Sequence, residues 1–513
     1  MTSRIHFYLT WLLAALIITA TAVTFSLSLN HPISADLAML HYSAWLINEK
    51  SFILYQDIFE LNFPAPFLFH SLLGQWLGYD ALSLRLVDFI LLILLGIVSW
   101  KILSPFSRAA ALLATSIFSL LYMINGGEFT LERDFLCLLP TAAAFMFATS
   151  TTALSLRWKT VFTAALTAIA CSMKPNGVVI VPVLLWFLWE DSRQENSVGK
   201  IKIIAVFFVT MALVAAMPFL WTIKNGGIQE FIKIYKTFIP IYTSSRNDLF
   251  HYSDTTERLR FLLRNYVIYG GGSILLSMPG LAWAWLIKTN DTKARRRILQ
   301  LAAITFAFTF YEVIAGKFWF NHMFPSAYWT ILCIALLLTA PPKSAQLWKK
   351  NLAIFLLVLV AAFGGGLAYI SLIQMQTAHN KEAYTPENWR ARQIADFLIE
   401  QKIQPEDTVQ ILDWAGDGQA ALLLAEATTA TRHLIDVPLY MEPDSPATQA
   451  LRKEFIRDIS VKKPRFIVYV EQFLHPGGGN RLKEFKALAA IIDQDYEAAE
   501  QREGSYTIYR HKK

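Results

Sequence analysis

Acidic and basic side chains recur in the short segments that separate the long apolar stretches of this chain. Charges beside a membrane are unfavourable unless they are paired, hydrated or used, so their convergence from separate segments predicts a site. Basic groups can hold a phosphate leaving group, and a carboxylate can deprotonate an incoming hydroxyl, which together fit transfer from a lipid phosphate. The candidates, in chain order, are Asp36, Asp57, Glu60, Glu128, Glu132, Arg133, Asp134, Lys174, Lys233, Lys236, Tyr242, Arg246, His251, Glu312, Lys317 and His322.

Other kinds of chemistry are not supported by the motifs present. The sequence contains no GxxxxGK[ST], no GxGxxG after a strand and no HExxH, so nucleotide hydrolysis and zinc proteolysis are not favoured. The three cysteines fall in apolar segments without CxxC spacing, which predicts neither a disulfide framework nor a zinc site. No cofactor is demanded. A divalent metal ion held by Asp36, Glu132 and Glu312 stays open, because no dense ligand motif requires it.

The composition places these residues in an integral membrane protein. Of the 513 residues, 55% are hydrophobic and only 17% are charged, and the mean hydropathy is +0.39. A spanning helix needs about 20 mostly apolar residues. Eleven spans are predicted, near residues 8–28, 82–103, 108–125, 134–151, 158–172, 176–190, 200–222, 265–287, 298–315, 322–340 and 352–375. The first of them is predicted to be a retained signal anchor.

Basic residues fall mainly in alternate loops. Starting from a cytoplasmic N-terminus, the inside segments contain Arg4, Lys101, Arg108, Arg157, Lys159, Arg193, Lys200, Lys202, Lys288, Lys293, Arg295, Arg296, Arg297, Lys343, Lys349 and Lys350. Outside 223–264, the opposite segments contain only Lys50, Arg133, Lys174 and Lys317. This asymmetry predicts a cytoplasmic N-terminus and an outer C-terminal tail. Because the basic excess lies in membrane loops, nucleic acid is not implied as a partner.

Two apolar segments of the first outer loop are too short to span. Residues 67–78 are predicted to form an outer-surface or half-buried helix, because counting them as a crossing would invert every later loop. Residues 36–50 are predicted to form an amphipathic helix on the membrane surface, with an apolar side of Leu37, Leu40, Ala44 and Ile47.

Residues 377–513 have the composition and the residue patterns of a soluble α/β domain. They contain 18 Lys and Arg against 21 Asp and Glu. Helical period at 386–402, strand patterns in "DTVQILDWA" and "RFIVYVEQF", helical stretches near 417–426 and 447–460 and a closing hairpin predict a small three-layer domain. The fold class is thus a polytopic α-helical membrane protein with a C-terminal α/β domain. The predicted boundaries are 1–376, with outer loops at 29–81 and 223–264, and 377–513.

Several motifs follow one another along the membrane part: an Asp shortly after the first helix, then "YQDIFELNFPAPF", "ALSLRL", "TLERDF", "KPNG" and "GKFWFNHMFP". This order resembles the GT-C membrane glycosyltransferases, in particular the branch that contains lipid A aminoarabinose transferases and protein O-mannosyltransferases. The resemblance covers the whole membrane part. It implies a polyprenyl (undecaprenyl) phosphate sugar as donor and a lipid, glycan or protein as acceptor. It also implies transfer on the periplasmic face of a bacterial inner membrane, among membrane lipids.

The resemblance assigns roles to individual residues. Asp36 matches the catalytic acid of the first loop, and Glu132 matches the acid of the second loop that supports it or binds a metal. Arg85 and His322 match an arginine and a histidine of the family pattern and are assigned to substrate binding. The other predicted substrate-binding residues are Asp57, Arg133, Lys174, Tyr242, Arg246 and Lys317.

The chain departs from the family pattern at two positions. Leu37 stands where a second acid often follows the first. The stretch "ELNFPAP" lacks the lysine that often precedes the first-loop prolines. Phosphate contacts must then come from Lys174, Lys317 or the long outer loop.

Each assignment has a structural alternative. Ser34 or Asp36 could cap a helix, and Asp57 and Glu60 could organise their loop. Glu132 could pair with Arg133, while Arg85 could reach the headgroups or pair with Asp88 one turn later. Lys174 and His322 could be ordinary boundary residues.

Two other functions are compatible with the sequence. A transporter or flippase of a lipid-linked or anionic substrate would use the charges as a pathway, but most of them lie at one boundary and no repeat relates the two halves. A non-catalytic scaffold of the same family would explain the departures from its pattern.

Overall fold

The structure is a computed structural model of the 513-residue chain. It describes all residues except 1, 30, 125–128, 151–153, 193–196, 247–249, 252–253, 343, 381–388, 472–479 and 513. Three residues used in the sequence analysis, Glu128, Arg193 and Lys343, therefore lie outside the described residues.

Helices dominate the first 380 residues. In chain order they are α1 (Thr2–Ser28), α2 (Ala35–Lys50), α3 (Pro64–Leu77), α4 (Ala81–Leu103), α5 (Arg108–Tyr122), α6 (Arg133–Leu136), α7 (Leu138–Ala148), α8 (Leu156–Met173), α9 (Val181–Asp191), α10 (Ser197–Lys224), α11 (Ile228–Thr237), α12 (Ile239–Ser244), α13 (Thr255–Asn265), α14 (Gly271–Ile287), α15 (Thr292–Phe308), α16 (Tyr311–Ala315), α17 (Phe324–Ala335) and α18 (Leu347–Asn380). Two short strands, β1 (Ser245–Arg246) and β2 (Phe250–His251), form a hairpin between α12 and α13.

The last part of the chain alternates helices and strands. Its elements are α19 (Arg390–Glu400), β3 (Thr408–Leu412), α20 (Asp417–Leu424), β4 (Thr428–Thr429), α21 (Pro446–Lys462), β5 (Phe466–Val470), α22 (Arg481–Glu484), α23 (Lys486–Asp495), β6 (Tyr496–Arg502) and β7 (Tyr506–His511).

Seven helical segments of the described chain are long and apolar enough to cross a membrane. They are Ile5–Ser28, Ala81–Leu103, Val198–Lys224, Thr255–Ile287, Thr292–Ala315, Phe320–Leu338 and Leu347–Gln376. Each coincides with a span predicted from the sequence, and together they make this a multi-pass membrane protein. The other four predicted spans are helical, at α5, α6 with α7, α8 and α9, but they do not reach the same length and apolarity. The number eleven therefore stays a prediction.

The chain divides into two compact units. The first comprises Met1–His31, Leu84–Met217 and Leu259–Thr377 and contains all or most of each spanning segment. Its core is aliphatic and aromatic, with Phe118, Tyr328 and Trp329 fully buried. Within it, α14 and α17 approach closely at Gly280, where a Cβ atom would lie 1.9 Å from the carbonyl oxygen of Cys333. Only glycine allows the two helices this spacing.

Loops that were predicted to share a membrane face meet at the same end of the first unit. At one end, Lys159 and Arg296 both contact Asp191, at 3.2 and 2.7 Å. At the other end, Lys174 lies 3.0 Å from Asp134. The grouping agrees with the alternation of loops predicted from the sequence, while the face to which each end belongs stays a prediction.

The second unit comprises Pro32–Ser83, Pro218–Arg258 and Ala378–Lys513. It thus combines most of the two predicted outer loops with the tail, while the domain boundaries themselves stay predictions. Helix α2 has its predicted apolar residues Leu37, Leu40 and Ala44 buried, but Tyr42 and Leu46 are buried as well. A helix that is buried on several sides is packed inside a domain, so α2 is not the one-faced surface helix that was predicted. It packs on α3 and α20.

The tail contains a mixed five-stranded sheet in the order β4-β3-β5-β7-β6. Strand β3 pairs in parallel with β4 and β5, and β7 pairs antiparallel with β5 and β6. All five residues of β5 are buried, which explains the continuous apolar run in its sequence. The strands and the closing hairpin lie where the sequence predicted them.

Candidate active site

The segment before Glu132 is anchored to α4 and α5 by buried polar contacts. The Tyr122 hydroxyl donates to Asp88 Oδ1 at 2.7 Å, and the Leu131 N–H donates to the Tyr122 oxygen at 3.1 Å. Arg85 Nη1 lies 3.5 Å from Asp88 Oδ2, and both side chains are almost completely buried. Arg85 therefore does not reach toward headgroups. The alternative that pairs it with Asp88 is the contact the structure forms, and its substrate-binding role stays a prediction.

Glu132 is buried and bridges two loops of the first unit. It occupies the N-cap position of α6, where its carboxylate accepts from the Arg133 N–H. Its Oε1 accepts a 2.6 Å hydrogen bond from Asn321 Nδ2, and Arg133 Nε lies 3.6 Å from its Oε2. The predicted pairing with Arg133 is thus present together with a long-range amide contact that the sequence did not indicate.

Asp134, Lys174 and His322 form the central group of this end of the unit. Asp134 is fully buried, and its Oδ2 accepts from Lys174 Nζ at 3.0 Å. Its Oδ1 accepts from the Tyr311 hydroxyl at 2.7 Å. On its other side, Lys174 Nζ lies 3.4 Å from His322 Nε2. Two nitrogen-bearing side chains from separate loops therefore lie side by side next to one buried carboxylate.

A second buried carboxylate lies on the segment that supplies His322. Glu312, on α16, is 1% exposed and accepts a hydrogen bond from the Ser326 hydroxyl. Lys317 follows the α16 C-cap, where Gly316 has a φ of +70°, and its side chain is 3% exposed. The tight turn after α16 requires glycine at this φ. The predicted residues Glu132, Arg133, Lys174 and His322 are brought together, with Glu312 and Lys317 on the same segment as His322.

The first-loop acids belong to the second unit. Asp36 is half-buried in the first turn of α2. Ser34 has the N-cap backbone geometry, but it makes no side-chain cap hydrogen bond. Asp57 Oδ2 accepts from the Ile53 N–H at 2.9 Å, and Glu60 Oε1 accepts from the Leu61 N–H at 2.7 Å. Both residues organise their own loop, as their structural alternative predicted.

Two predicted site residues of the long loop, which was predicted to lie outside, belong to the second unit. Tyr242 is half-buried on α12, and Arg246 lies in β1. A cavity of about 360 Å³ in this unit is lined by residues of the first and long loops, among them Ile47, Phe52 and Trp221. None of the predicted site residues is among those that line it.

Arg432 is a residue whose importance the sequence did not reveal. Its guanidinium pairs with Glu454 and lies 3.4 Å from Glu230 Oε2, and its Nη1 donates to the Tyr55 carbonyl at 3.3 Å. Its own carbonyl accepts from the Phe59 N–H at 2.8 Å. One side chain of the tail thus connects α21, α11 and the first loop. No local motif marks such a residue, because all its partners are distant in sequence.

Metal ligation was the open question of the sequence analysis. Among the described residues, no three His, Cys, Asp or Glu side chains are grouped so that they could hold a metal ion. The Glu132 carboxylate accepts from Asn321 Nδ2 and Glu312 Oε1 accepts from the Ser326 hydroxyl, while Glu312 Oε2 is buried without a hydrogen-bond partner among the described residues. A metal ion held by Asp36, Glu132 and Glu312 therefore stays an open prediction.

The comparisons with known proteins give a similarity of fold. No protein-family profile and no curated sequence matches the chain. Among solved structures, ArnT from Cupriavidus metallidurans bound to undecaprenyl phosphate superposes with a TM-score of 0.59 at 13% identity, over 97% of both chains. The same enzyme in the apo state superposes with a TM-score of 0.58 at 12% identity, over 96% of this chain and 97% of the other. The chain therefore has the fold of these ArnT structures, in agreement with the resemblance that the order of its motifs indicated.

Proposed function

We propose that this protein is an integral membrane glycosyltransferase that moves a sugar from a polyprenyl (undecaprenyl) phosphate to a lipid, glycan or protein acceptor on the periplasmic face of a bacterial inner membrane. The observation that carries the proposal is the similarity of fold, over nearly the full length of both chains, to a transferase whose structure holds undecaprenyl phosphate. The group of Asp134, Lys174 and His322 supplies an independent chemical argument.

The phosphate of the donor needs positive charge and hydrogen-bond donors. Lys174 offers an ammonium, and His322 offers an imidazole 3.4 Å away. Asp134 and Tyr311 hold this pair in place from the buried side. Because Asp134 already offsets the charge of Lys174, an incoming phosphate would compete with that carboxylate for the ammonium. A protonated His322 would then strengthen binding of the leaving phosphate as its charge grows.

The transfer itself is a displacement at the anomeric carbon of the sugar. The acceptor hydroxyl loses its proton to the Asp36 carboxylate and forms the new carbon–oxygen bond. The bond between the anomeric carbon and the phosphate oxygen breaks, and its electron pair leaves with polyprenyl phosphate. The family resemblance implies one displacement with inversion. Glu132 supports the site by fixing the loop that carries His322, through Asn321.

The test compares Asp36→Asn and Lys174→Met with wild type, by mass spectrometry of cell-envelope glycolipids and glycans at matched expression. Asp80→Asn is the matched control, because Asp80 is an exposed acid of the same loop that bonds Ser83 at the start of α4, and asparagine caps almost as well. We expect one glycosylated species to disappear in Asp36→Asn and to persist in the control.

The purified full-length variants are then assayed in nanodiscs with lipid-linked sugars. An unchanged profile in Asp36→Asn, when deletion of the gene does change it, would remove Asp36 from the chemistry. If gene deletion itself changed no envelope species and the wild type transferred no sugar, the glycosyltransferase proposal would be wrong.

A further inference from the structure

The end of the first unit opposite to the Asp134 group carries its own charged cluster. Asp191 at the end of α9 accepts from Lys159 Nζ at 3.2 Å and from Arg296 Nη2 at 2.7 Å. Glu190 lies 3.4 Å from Arg296 as well. Asp191 thus contacts both Lys159 and Arg296, and Glu190 contacts Arg296.

Arg295, next in the chain to Arg296, is different. Its guanidinium carbon stands 3.9 Å from the centre of the Trp285 ring. Within the described part of the chain it forms no ion pair, and its buried Nε has no hydrogen-bond partner. A guanidinium stacked on an aromatic ring is held in one orientation, so little conformational entropy remains to be lost when it binds an anion. Arg295 is thus a preorganised cation with no carboxylate partner among the described residues.

Arg295 lines a cavity of about 310 Å³ between α9 and α15, together with Trp186, Glu190, Arg296, Leu299 and Gln300. This volume is near the lower limit of small-molecule sites. Glu190 and Arg296 offset each other, so the charge of Arg295 makes the lining positive overall. The buried amide of Gln300 adds hydrogen-bonding capacity to the wall.

Two of the residues that line the cavity are apolar and exposed. Trp186 is 46% exposed and Leu299 is 51% exposed, and Leu299 belongs to the spanning segment Thr292–Ala315. A free phosphate ion would gain nothing from these two side chains, whereas the acyl chains of a lipid would cover them. A basic pocket between helices at the membrane boundary is the arrangement that binds lipid headgroups.

We propose that this cavity binds the phosphate headgroup of an anionic phospholipid, with Arg295 contacting the phosphate and Trp186 and Leu299 contacting the acyl chains. By the loop alternation, the site lies at the cytoplasmic boundary, away from the Asp134 group. It is independent of the proposed glycosyl transfer. The occupant would be a structural lipid bound between α9 and α15.

Native mass spectrometry of the full-length protein in detergent provides the test. The protein is titrated with phosphatidylglycerol and with phosphatidylcholine of the same acyl chains, and bound lipids are counted. Arg295→Gln is compared with Lys293→Gln, which removes the same charge from an exposed position two residues earlier. A charge-assisted hydrogen bond accounts for about a tenfold change in affinity or more.

We expect the wild type and Lys293→Gln to bind one phosphatidylglycerol about tenfold more tightly than phosphatidylcholine, and Arg295→Gln to lose this preference. Equal binding of the two lipids by the wild type, or equal losses in the two variants, would overturn the proposal. Displacement of phosphatidylglycerol by excess inorganic phosphate in the wild type would identify a free-phosphate site and would also overturn it. Arg295→Lys, which keeps the charge but loses the planar fork, should bind with intermediate affinity. It also provides a second test if Arg295→Gln fails to fold.

Discussion

The contact between Asp134 and Lys174 offers the sharpest test of how the candidate site is built. Asp134 is fully buried, and Lys174 and the Tyr311 hydroxyl are the donors to its carboxylate among the described residues. In Lys174→Met the carboxylate keeps only the hydroxyl, and in Asp134→Asn the ammonium loses its counter-ion. Removing one partner of a buried pair costs about 3 to 5 kcal/mol, because the other charge is left uncompensated.

The double variant Asp134→Asn, Lys174→Met removes both charges and leaves none to compensate. We therefore expect each single variant to lower the apparent Tm in detergent by about 6 °C, taking about 3 kcal/mol and about 2 °C per kcal/mol for a large unit. The double variant should recover at least about a third of the summed loss of about 6 kcal/mol, which corresponds to a coupling energy of about 2 kcal/mol or more.

The exposed pair of Arg392 and Asp396 on α19 is the matched control. Its atoms lie 2.9 Å apart, but the two side chains are 46% and 48% exposed. A surface pair couples by less than about 1 kcal/mol, so the same cycle there should be nearly additive. If the Asp134 and Lys174 variants were also additive within about 0.5 kcal/mol, the buried pair would not stabilise the site and our account of its assembly would be refuted.

Three further predictions concern packing, the tail and pH. Gly280→Ala should lower the Tm by several degrees, because the added Cβ would overlap a backbone carbonyl. Gly272→Ala, whose Cβ would meet no atom within 4 Å, should leave the Tm at the wild-type value or raise it. If the two variants had the same Tm, the close packing of α14 on α17 would be contradicted. Arg432→Ala should lower the free energy of unfolding by about 2 kcal/mol in a chemical denaturation assay, because its carboxylate partners lose a largely buried counter-ion. Arg457→Ala, the control at an exposed ion pair, should leave the free energy of unfolding nearly unchanged. Burial lowers the pKa of His433 from 6.5 to about 3, so the unfolded chain binds a proton that the folded chain does not. The free energy of unfolding should then be highest above pH 6.5 and fall by about 3 kcal/mol as the pH is lowered to about 4.5. The fall should be smaller in His433→Phe. If the two proteins had identical pH profiles, this histidine would not be the cause.

Local pattern predicted the elements well. The apolar period located the spanning helices, and the continuous apolar run in "RFIVYVEQF" located β5. Both signals lie in neighbouring residues, because the burial of a helix face or of a whole strand determines the residue types along that segment. The eleven-span count was less secure. The predicted span 134–151 breaks into α6 and α7, and the predicted span 176–190 begins with a tight 3-10 turn at Pro175–Ile180. Such interruptions depend on tertiary packing that hydropathy does not register.

The candidate site was predicted only by residue type. Acids and bases of loops that were predicted to lie outside do meet, since Lys174 contacts both Asp134 and His322. The sequence could not identify the partner of each charge. Tyr311 and Asn321 act through hydrogen bonds to residues more than 170 positions away, and no local spacing encodes such a pairing. The packing of α2 on several sides was missed for the same reason.

The second unit has a consequence for the biogenesis of the protein. The Tyr42 hydroxyl on α2 donates to the Ala427 carbonyl at 2.8 Å, and these residues are 385 positions apart. At roughly 5 to 20 residues per second, synthesis of the acceptor follows that of the donor by roughly 20 to 80 s. During this interval the spanning helices are inserted while the segment that carries Asp36 has no packing partner in the tail. A chain that stops before residue 378 would therefore leave Asp36 on an incompletely packed helix, even though every spanning segment had been made.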